Sequence, residues 1–338
     1  MTTTNPHGPD FEKAITITPL GNNRYSAFLQ TSFCIGTVPH GGYTSAVLYR
    51  LALVHFATAH ESLYHGEPAT PISMHLSFLR RTAAGPALLR VQDSKLGKRT
   101  SSVHVELLQS KDPHKSTAAS GEDGMEVKVA GYITVSPASA EVGVSSKTAW
   151  ELYPKPAEGG LAGGKVDLQR LAGSGEDGAW KKLEPAFSEF RKATTQVELF
   201  GVDRAARKNG IVDQWARLQP EGSVTRWSNE AVVFLADMFP MALDGLDTMA
   251  DGGSKRDGGF PSAKYWFPTV TLSIDFKKRL PGDGEEWLYS RIVTKEVRDG
   301  RTDLDVVILD EKGEIVALST QVGLVVSASR NIGGRAKM

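Results

Sequence analysis

An internal duplication constrains this chain more than any single motif does. In the first half, residues 41–60 place Val47, Leu48, Leu51, Val54 and His55 at helical spacing. A strand follows at 71–81, in which Ile72, Met74, Leu76 and Phe78 alternate. Gly85-Pro86 turns into a second strand at 87–95, and Gly97-Lys98-Arg99-Thr100 into a third, where Val103, Val105 and Leu107 alternate. A polar tip at 112–124 leads to a fourth at 126–136. The second half repeats the order: helix at 230–243, strand at 268–279, a Pro281-Gly282 turn, strand at 286–296, then the turn at 299–302. Leu304, Val306 and Ile308 alternate in the next strand, and 314–326 closes the set. Phe78 and Phe276 hold the same place in their strands, about 200 residues apart.

Upstream β-like segments at 14–20, 24–35, 194–200 and 213–218 complete two similar units. Each is a helix beside an antiparallel sheet of about five or six strands, an α+β arrangement. The second helix is apolar on nearly every side (Ala231, Val232, Val233, Phe234, Leu235, Met238), so a sheet has to wrap around it. The chain has 338 residues, which at about 100–200 per domain fits two domains. We expect them at 1–150 and 191–330, joined by a Gly/Ala-rich linker at 151–190, with a tail at 331–338 and a second loop at 251–259.

Lys+Arg and Asp+Glu are equal at 39 each, so no global field favours nucleic acid or an anionic membrane. A single cysteine, Cys34, allows no intrachain disulfide and suits a reducing compartment. The N-terminus lacks a basic flank and an apolar core, unlike a secretory signal. The apolar run at 231–243 is well short of the roughly 20 residues of a membrane span. A cytoplasmic protein is expected, with Ala336-Lys337-Met338 having the form of a peroxisomal address.

No Gly-x-Ser-x-Gly elbow, phosphate loop or His-Glu-x-x-His occurs. His55, His60 and His65 are spaced by five, which does not align ligands on a helix face, so no metal site is expected. Asp237 stands out as a carboxylate within an apolar helix, where burial costs several kcal/mol unless the group is paired or protonated. Either it does chemical work, or it faces out where Pro240 bends the helix, or it pairs with a buried backbone donor. Thr271 reads as an ordinary strand residue and Gln321 as a buried amide in need of partners. His40-Gly41-Gly42-Tyr43 precedes the first helix, where backbone N–H groups suit an oxyanion; a tight loop-to-helix entry explains it equally well.

These residues resemble the double hot-dog acyl-CoA thioesterases, which include bacterial thioesterase II and fungal thioesterase-like relatives. The resemblance covers 14–136 and 194–327. It rests on Asp237 in Leu-Ala-Asp-Met, Thr271 ahead of Pro281, Gln321 two residues before Gly323, residues 36–43 at the helix entry, and the strand 78–86. The middle linker and the 251–259 loop are longer than the family leads one to expect. The resemblance implies a tandem hot-dog fold, two antiparallel sheets each wrapped around a long central helix. It implies an acyl-CoA hydrolase in which Asp237 is the general base and Thr271 and Gln321 position the water. Gly41 and Gly42 would hold the oxyanion, with one site per chain. It implies no cofactor beyond the coenzyme A of the substrate, a coenzyme A or acyl-carrier-protein thioester as partner, and a homo-oligomer.

Two other readings remain open. A hot-dog dehydratase needs a histidine with an acid partner, and neither His40 nor His75 has one nearby in sequence. A protein that binds an acyl thioester or polyketide intermediate without hydrolysing it needs no working base. The basic residues Arg80, Arg81, Lys277, Lys278 and Arg279 read as solvated strand ends, although they could meet phosphates.

Overall fold

The computed structural model describes residues 11–111, 124–156, 166–185, 187–202, 210–239, 243 and 265–327. Most of the polar tip at 112–124, the loop at 251–259 and the tripeptide 336–338 lie outside them. The first half comprises α1 (Phe11–Ala14), β1 (Thr18–Gly21), β2 (Arg24–Leu29), β3 (Cys34–Ile35), β4 (Val38–Pro39), α2 (Gly41–Ala59), β5 (Ala69–Phe78), β6 (Gly85–Lys95), β7 (Ser101–Ser110) and β8 (Met125–Pro137). A bridging region carries α3 (Leu168–Ser174), β9 (Glu176–Asp177) and β10 (Trp180–Leu183). The second half has β11 (Val197–Val202), β12 (Ile211–Leu218), α4 (Asn229–Ala236), β13 (Tyr265–Trp266), β14 (Thr269–Phe276) and β15 (Leu288–Val293). It closes with β16 (Val297–Arg298), β17 (Arg301–Leu309), β18 (Ile315–Leu324) and β19 (Val326–Ser327).

Alternation does what it should. Val103, Val105 and Leu107 of β7 and Leu304, Val306 and Ile308 of β17 all turn inward and are buried. They cover α2 and α4, and Tyr43, Ala46, Val47, Leu48, Leu51 and Ala52 of α2 have essentially no exposed surface. Each half is thus a helix wrapped by antiparallel strands, the hot-dog arrangement.

The two sheets expected are edge-joined into one. Its order is β1-β2-β6-β7-β8-β5-β14-β18-β17-β15-β12-β11-β10-β9. The seam is β5 against β14, the two strands that the duplication identifies as equivalent, paired antiparallel with His75 opposite Ser273 and Ser77 opposite Thr271. Two copies of one edge strand meeting this way give an approximate two-fold relation between the halves. They also bring α2 and α4 into direct contact.

Two expectations need correction. The second helix stops at Ala236 rather than continuing to 243, so among the described residues it is short. The stretch at 151–190 is linker only in part, because β10 pairs with β11 and extends the second sheet. Trp180 is fully buried there, beside Phe200, Trp215, Trp287 and Tyr289. Among the described residues no helix is long and apolar enough to cross a membrane.

Trp180→Ala therefore removes a core side chain, not a linker one. It should lower unfolding stability by about 3–5 kcal/mol, read from the urea midpoint; an unchanged midpoint would return this region to linker status.

Candidate active site at the junction of the two halves

The site is built from two helix ends. Ser228 caps α4 by accepting from the Ala231 N–H at 3.3 Å. Glu230 in its first turn pairs with Arg50 of α2 at 3.0 Å, linking the halves. The helix stops at Asp237, whose backbone has left the helical region (φ −106°, ψ 12°). A helix end leaves carbonyls without intrahelical partners. A side-chain amide from the sheet satisfies one of them, Gln321 Nε2 donating to Ala236 O at 2.7 Å, and Gln214 Nε2 donates just past the helix end, to Met238 O at 3.1 Å.

Asp237 is 2% exposed and points at the start of α2. Its Oδ2 accepts from the Gly42 N–H at 2.7 Å, and its Oδ1 from the Thr269 hydroxyl at 3.0 Å. His40, the N-cap of α2, accepts from the same Gly42 N–H through Nδ1 at 3.1 Å and sits 3.5 Å from Asp237 Oδ2. This approach needs glycine twice. A Cβ on Gly41 would lie 2.7 Å from Asp237 Oδ2, and one on Gly42 would lie 2.8 Å from both Asp237 Cβ and Phe234 O.

Burial pushes the Asp237 carboxyl above the usual carboxylate range, while His40, the Thr269 hydroxyl and the Gly42 N–H pull it back. Its place at the negative end of α4 adds to the first effect, and the positive end of α2 to the second. Burial lowers the His40 pKa against the pull of Asp237, so the imidazole is neutral near pH 7 and the contact is not an ion pair. Phe234 backs the pair, with its ring centroid 5.3 Å from that of His40 and 5.5 Å from that of Phe33. Asp237, His40, Gly41 and Thr269 open onto a cavity of about 300 Å³ with largely apolar walls, including Phe78, Phe190, Trp266 and Phe267. Arg80, Arg81 and Arg191 also line it, and Arg81 lies over the Trp266 ring at 5.3 Å.

Of the residues singled out in the sequence, Asp237, Gly41, Gly42 and Gln321 come together and Thr271 does not. The hydroxyl on the carboxylate belongs to Thr269, two positions earlier. A bulge is the reason: from Thr269 to Thr271 β14 advances two residues while β18 advances one, from Gly323 to Val322. Thr271 stays in phase with Ser273 on the outer face, and Thr269 is turned inward. Period-two reading cannot see such a step. Gln321 bonds the backbone beside Asp237 rather than the carboxylate, and its Oε1 is buried without a partner among the described residues. Gly42 differs from expectation too, since its N–H is committed to Asp237 and His40. The Gly41 N–H, in the first turn of α2, has no intrahelical partner.

Sequence reasoning also gave His40 no acid. Its acid is Asp237, 197 positions away and brought close only by the seam. The basic pairs have diverged between the halves. Arg80 and Arg81 border the cavity, with Arg80 also paired to Glu126 at 3.1 Å. Lys278 is held by Asp310 and Glu314, and Arg279 by Thr70, Ser136 O and Glu141.

Comparison with known proteins adds a family. The acyl-CoA thioesterase N-terminal domain matches residues 29–135, and the acyl-CoA thioesterase C-terminal domain matches residues 167–325. The thioesterase-like protein TwmA of Talaromyces wortmannii is 30% identical over 341 residues, covering 96% of this chain and 94% of that one. A hot-dog protein of unknown function from Alicyclobacillus acidocaldarius superposes with a TM-score of 0.64 at 14% identity, covering 94% of this chain and 98% of that one. The acyl-CoA thioesterase II TesB2 of Mycobacterium marinum gives 0.56 at 17% identity, covering 95% and 100%. At such identities the two structures speak for the fold alone.

Thr269→Val removes a hydrogen bond to the charged form and should raise the Asp237 pKa further, whereas Thr271→Val should leave it unmoved. A carboxyl NMR titration of both variants decides between them, and an equal response would remove Thr269 from the site.

Proposed function

Because the chain belongs to the acyl-CoA thioesterase family, we propose that it hydrolyses an acyl thioester with Asp237 as general base. The observation that carries this reading is a buried carboxylate on the wall of a mainly apolar cavity, with its pKa raised. A base works best when its pKa approaches the working pH. Asp237 accepts a proton from water as the water oxygen attacks the thioester carbonyl carbon. The tetrahedral intermediate then collapses, its C–S bond breaks, and the thiolate takes up a proton to leave as free thiol.

Other residues have separable roles in this scheme. Thr269 and the Gly42 N–H fix the carboxylate and limit how far burial raises its pKa. The Gln321 Oε1, a buried acceptor without a partner among the described residues, holds the attacking water. The Gly41 N–H, rather than that of Gly42, faces the developing oxyanion. The aromatic walls receive the acyl chain and exclude water, while Arg80, Arg81 and Arg191 suit the phosphates of the carrier.

The His40–Asp237 dyad favours one second reading, dehydration of a β-hydroxyacyl thioester. There the neutral imidazole would take the α-proton and a protonated Asp237 would give its proton to the departing hydroxyl. Saturated and β-hydroxyacyl-CoA substrates separate the two. Release of free thiol from the saturated thioester supports hydrolysis; enoyl product without thiol release supports dehydration.

Asp237→Asn tests the base. Hydrolysis should fall by about 10²–10⁴-fold. In wild type, kcat/KM should decline on acidification around a pKa above the ordinary carboxylate range, because only ionised Asp237 is active. Stability runs the opposite way. A folded-state pKa above the unfolded value means that ionised Asp237 costs stability once pH rises through the folded pKa, and costs nothing below the unfolded one. The Asn variant should therefore melt at or above the wild-type temperature at neutral pH, with the gap closing in acid. Full activity in a folded Asn variant would overturn the assignment.

A further inference from the structure

At the other end of α2, remote from the cavity, three potential ligands converge. His55 Nε2 lies 2.9 Å from Asp93 Oδ1, and His60 Nε2 lies 3.0 Å from Asp93 Oδ2. One donor atom from each residue falls within 4.8 Å of the others. We propose that His55, His60 and Asp93 form a binding site for a divalent metal ion of the zinc class.

The sequence spacing argued against this, because ligands five apart do not share a helix face. The helix, however, ends at Ala59. His60 has left it (φ −133°, ψ 31°), and its ring folds back to a centroid 5.0 Å from that of His55. Asp93 sits at a bulge in β6, where the register against β7 shifts between Asp93 and Lys95, and bulges commonly re-aim a side chain. Two departures from regular geometry thus bring the three side chains together.

The donor set suits the ion. Two imidazoles and one carboxylate match zinc, whereas magnesium and calcium prefer all-oxygen shells. Zinc bonds of about 2.0–2.1 Å in a tetrahedron set ligand atoms roughly 3.3 Å apart, close to the two histidine–carboxylate spacings already present. The surroundings suit it as well. The Tyr25 hydroxyl meets His55 Nδ1 at 2.8 Å, the outer partner that orients a ligating histidine. With Nδ1–H donated to the tyrosine oxygen, the Nε2 lone pair is free for metal. His55 closes the inner side, while His60 and Asp93 are 18% and 27% exposed, which leaves an entry path and room for a fourth, water ligand.

Bound there, the ion would clamp the end of α2 to β6. The fourteen positions from Gly41 to His55 place it about 21 Å from the active-site end of the helix. The test is consequently independent of the hydrolase reading. Full-length protein stripped with a chelator is titrated with Zn²⁺ alone and then with Mg²⁺ alone. Bound metal is measured by elemental analysis and the unfolding midpoint by calorimetry. One zinc per chain and a midpoint raised by several degrees, absent with Mg²⁺ and lost in His60→Ala and Asp93→Asn, is the expected result. No zinc uptake by wild type, or equal uptake by wild type and both variants, would overturn it and leave the cluster as a hydrogen-bonded clamp.

Discussion

One hydrogen bond joins the two halves at the point where chemistry is possible: the Gly42 N–H at the head of α2 donates to the Asp237 carboxylate at the tail of α4. A buried carboxylate at the negative end of its own helix is costly. The positive end of the partner helix and the Thr269 hydroxyl offset part of that cost. Neither helix end could reach the other without the β5–β14 seam, which fixes where α2 and α4 meet. Neither could come close enough without glycine at 41 and 42.

The same geometry explains why the carboxylate is poised rather than merely paired. A neutral His40 and the rings of Phe33 and Phe234 exclude water on one side, while the cavity opens on the other. Two amides, Gln214 and Gln321, satisfy the helix end from the sheet, so its exposed carbonyls are not left to compete for partners. Stability and proposed reactivity are therefore separable here: what stabilises α4 is its amide caps and apolar packing, and what perturbs Asp237 is its burial.

Duplication supplied two similar units, which have diverged around the candidate site. Phe78 borders the cavity, whereas its counterpart Phe276 packs against Tyr49, with ring centroids 5.4 Å apart. Arg80 and Arg81 border the cavity, Arg80 while paired with Glu126, whereas Lys278 and Arg279 lie outside its lining and are held by acidic and backbone partners. α2 matters at both ends, its head completing the candidate site and its tail carrying the histidine pair around Asp93.

What the sequence determined by itself is whatever depends on periodicity and composition. Alternation in β7 and β17 and the all-apolar face of α4 specify wrapped helices, because side-chain direction follows directly from residue spacing. The oddity of Asp237 is equally local, since a charge among apolar residues is visible without coordinates. Tertiary structure decided what depends on a break in regular geometry or on contact between distant segments. A one-residue bulge exchanged Thr271 for Thr269, the end of α4 at Ala236 made Asp237 a cap, and the end of α2 at Ala59 brought His60 back to His55. His40 found its acid in the other half only because two equivalent edge strands pair, and pairing across about 200 residues leaves no periodic trace in either strand.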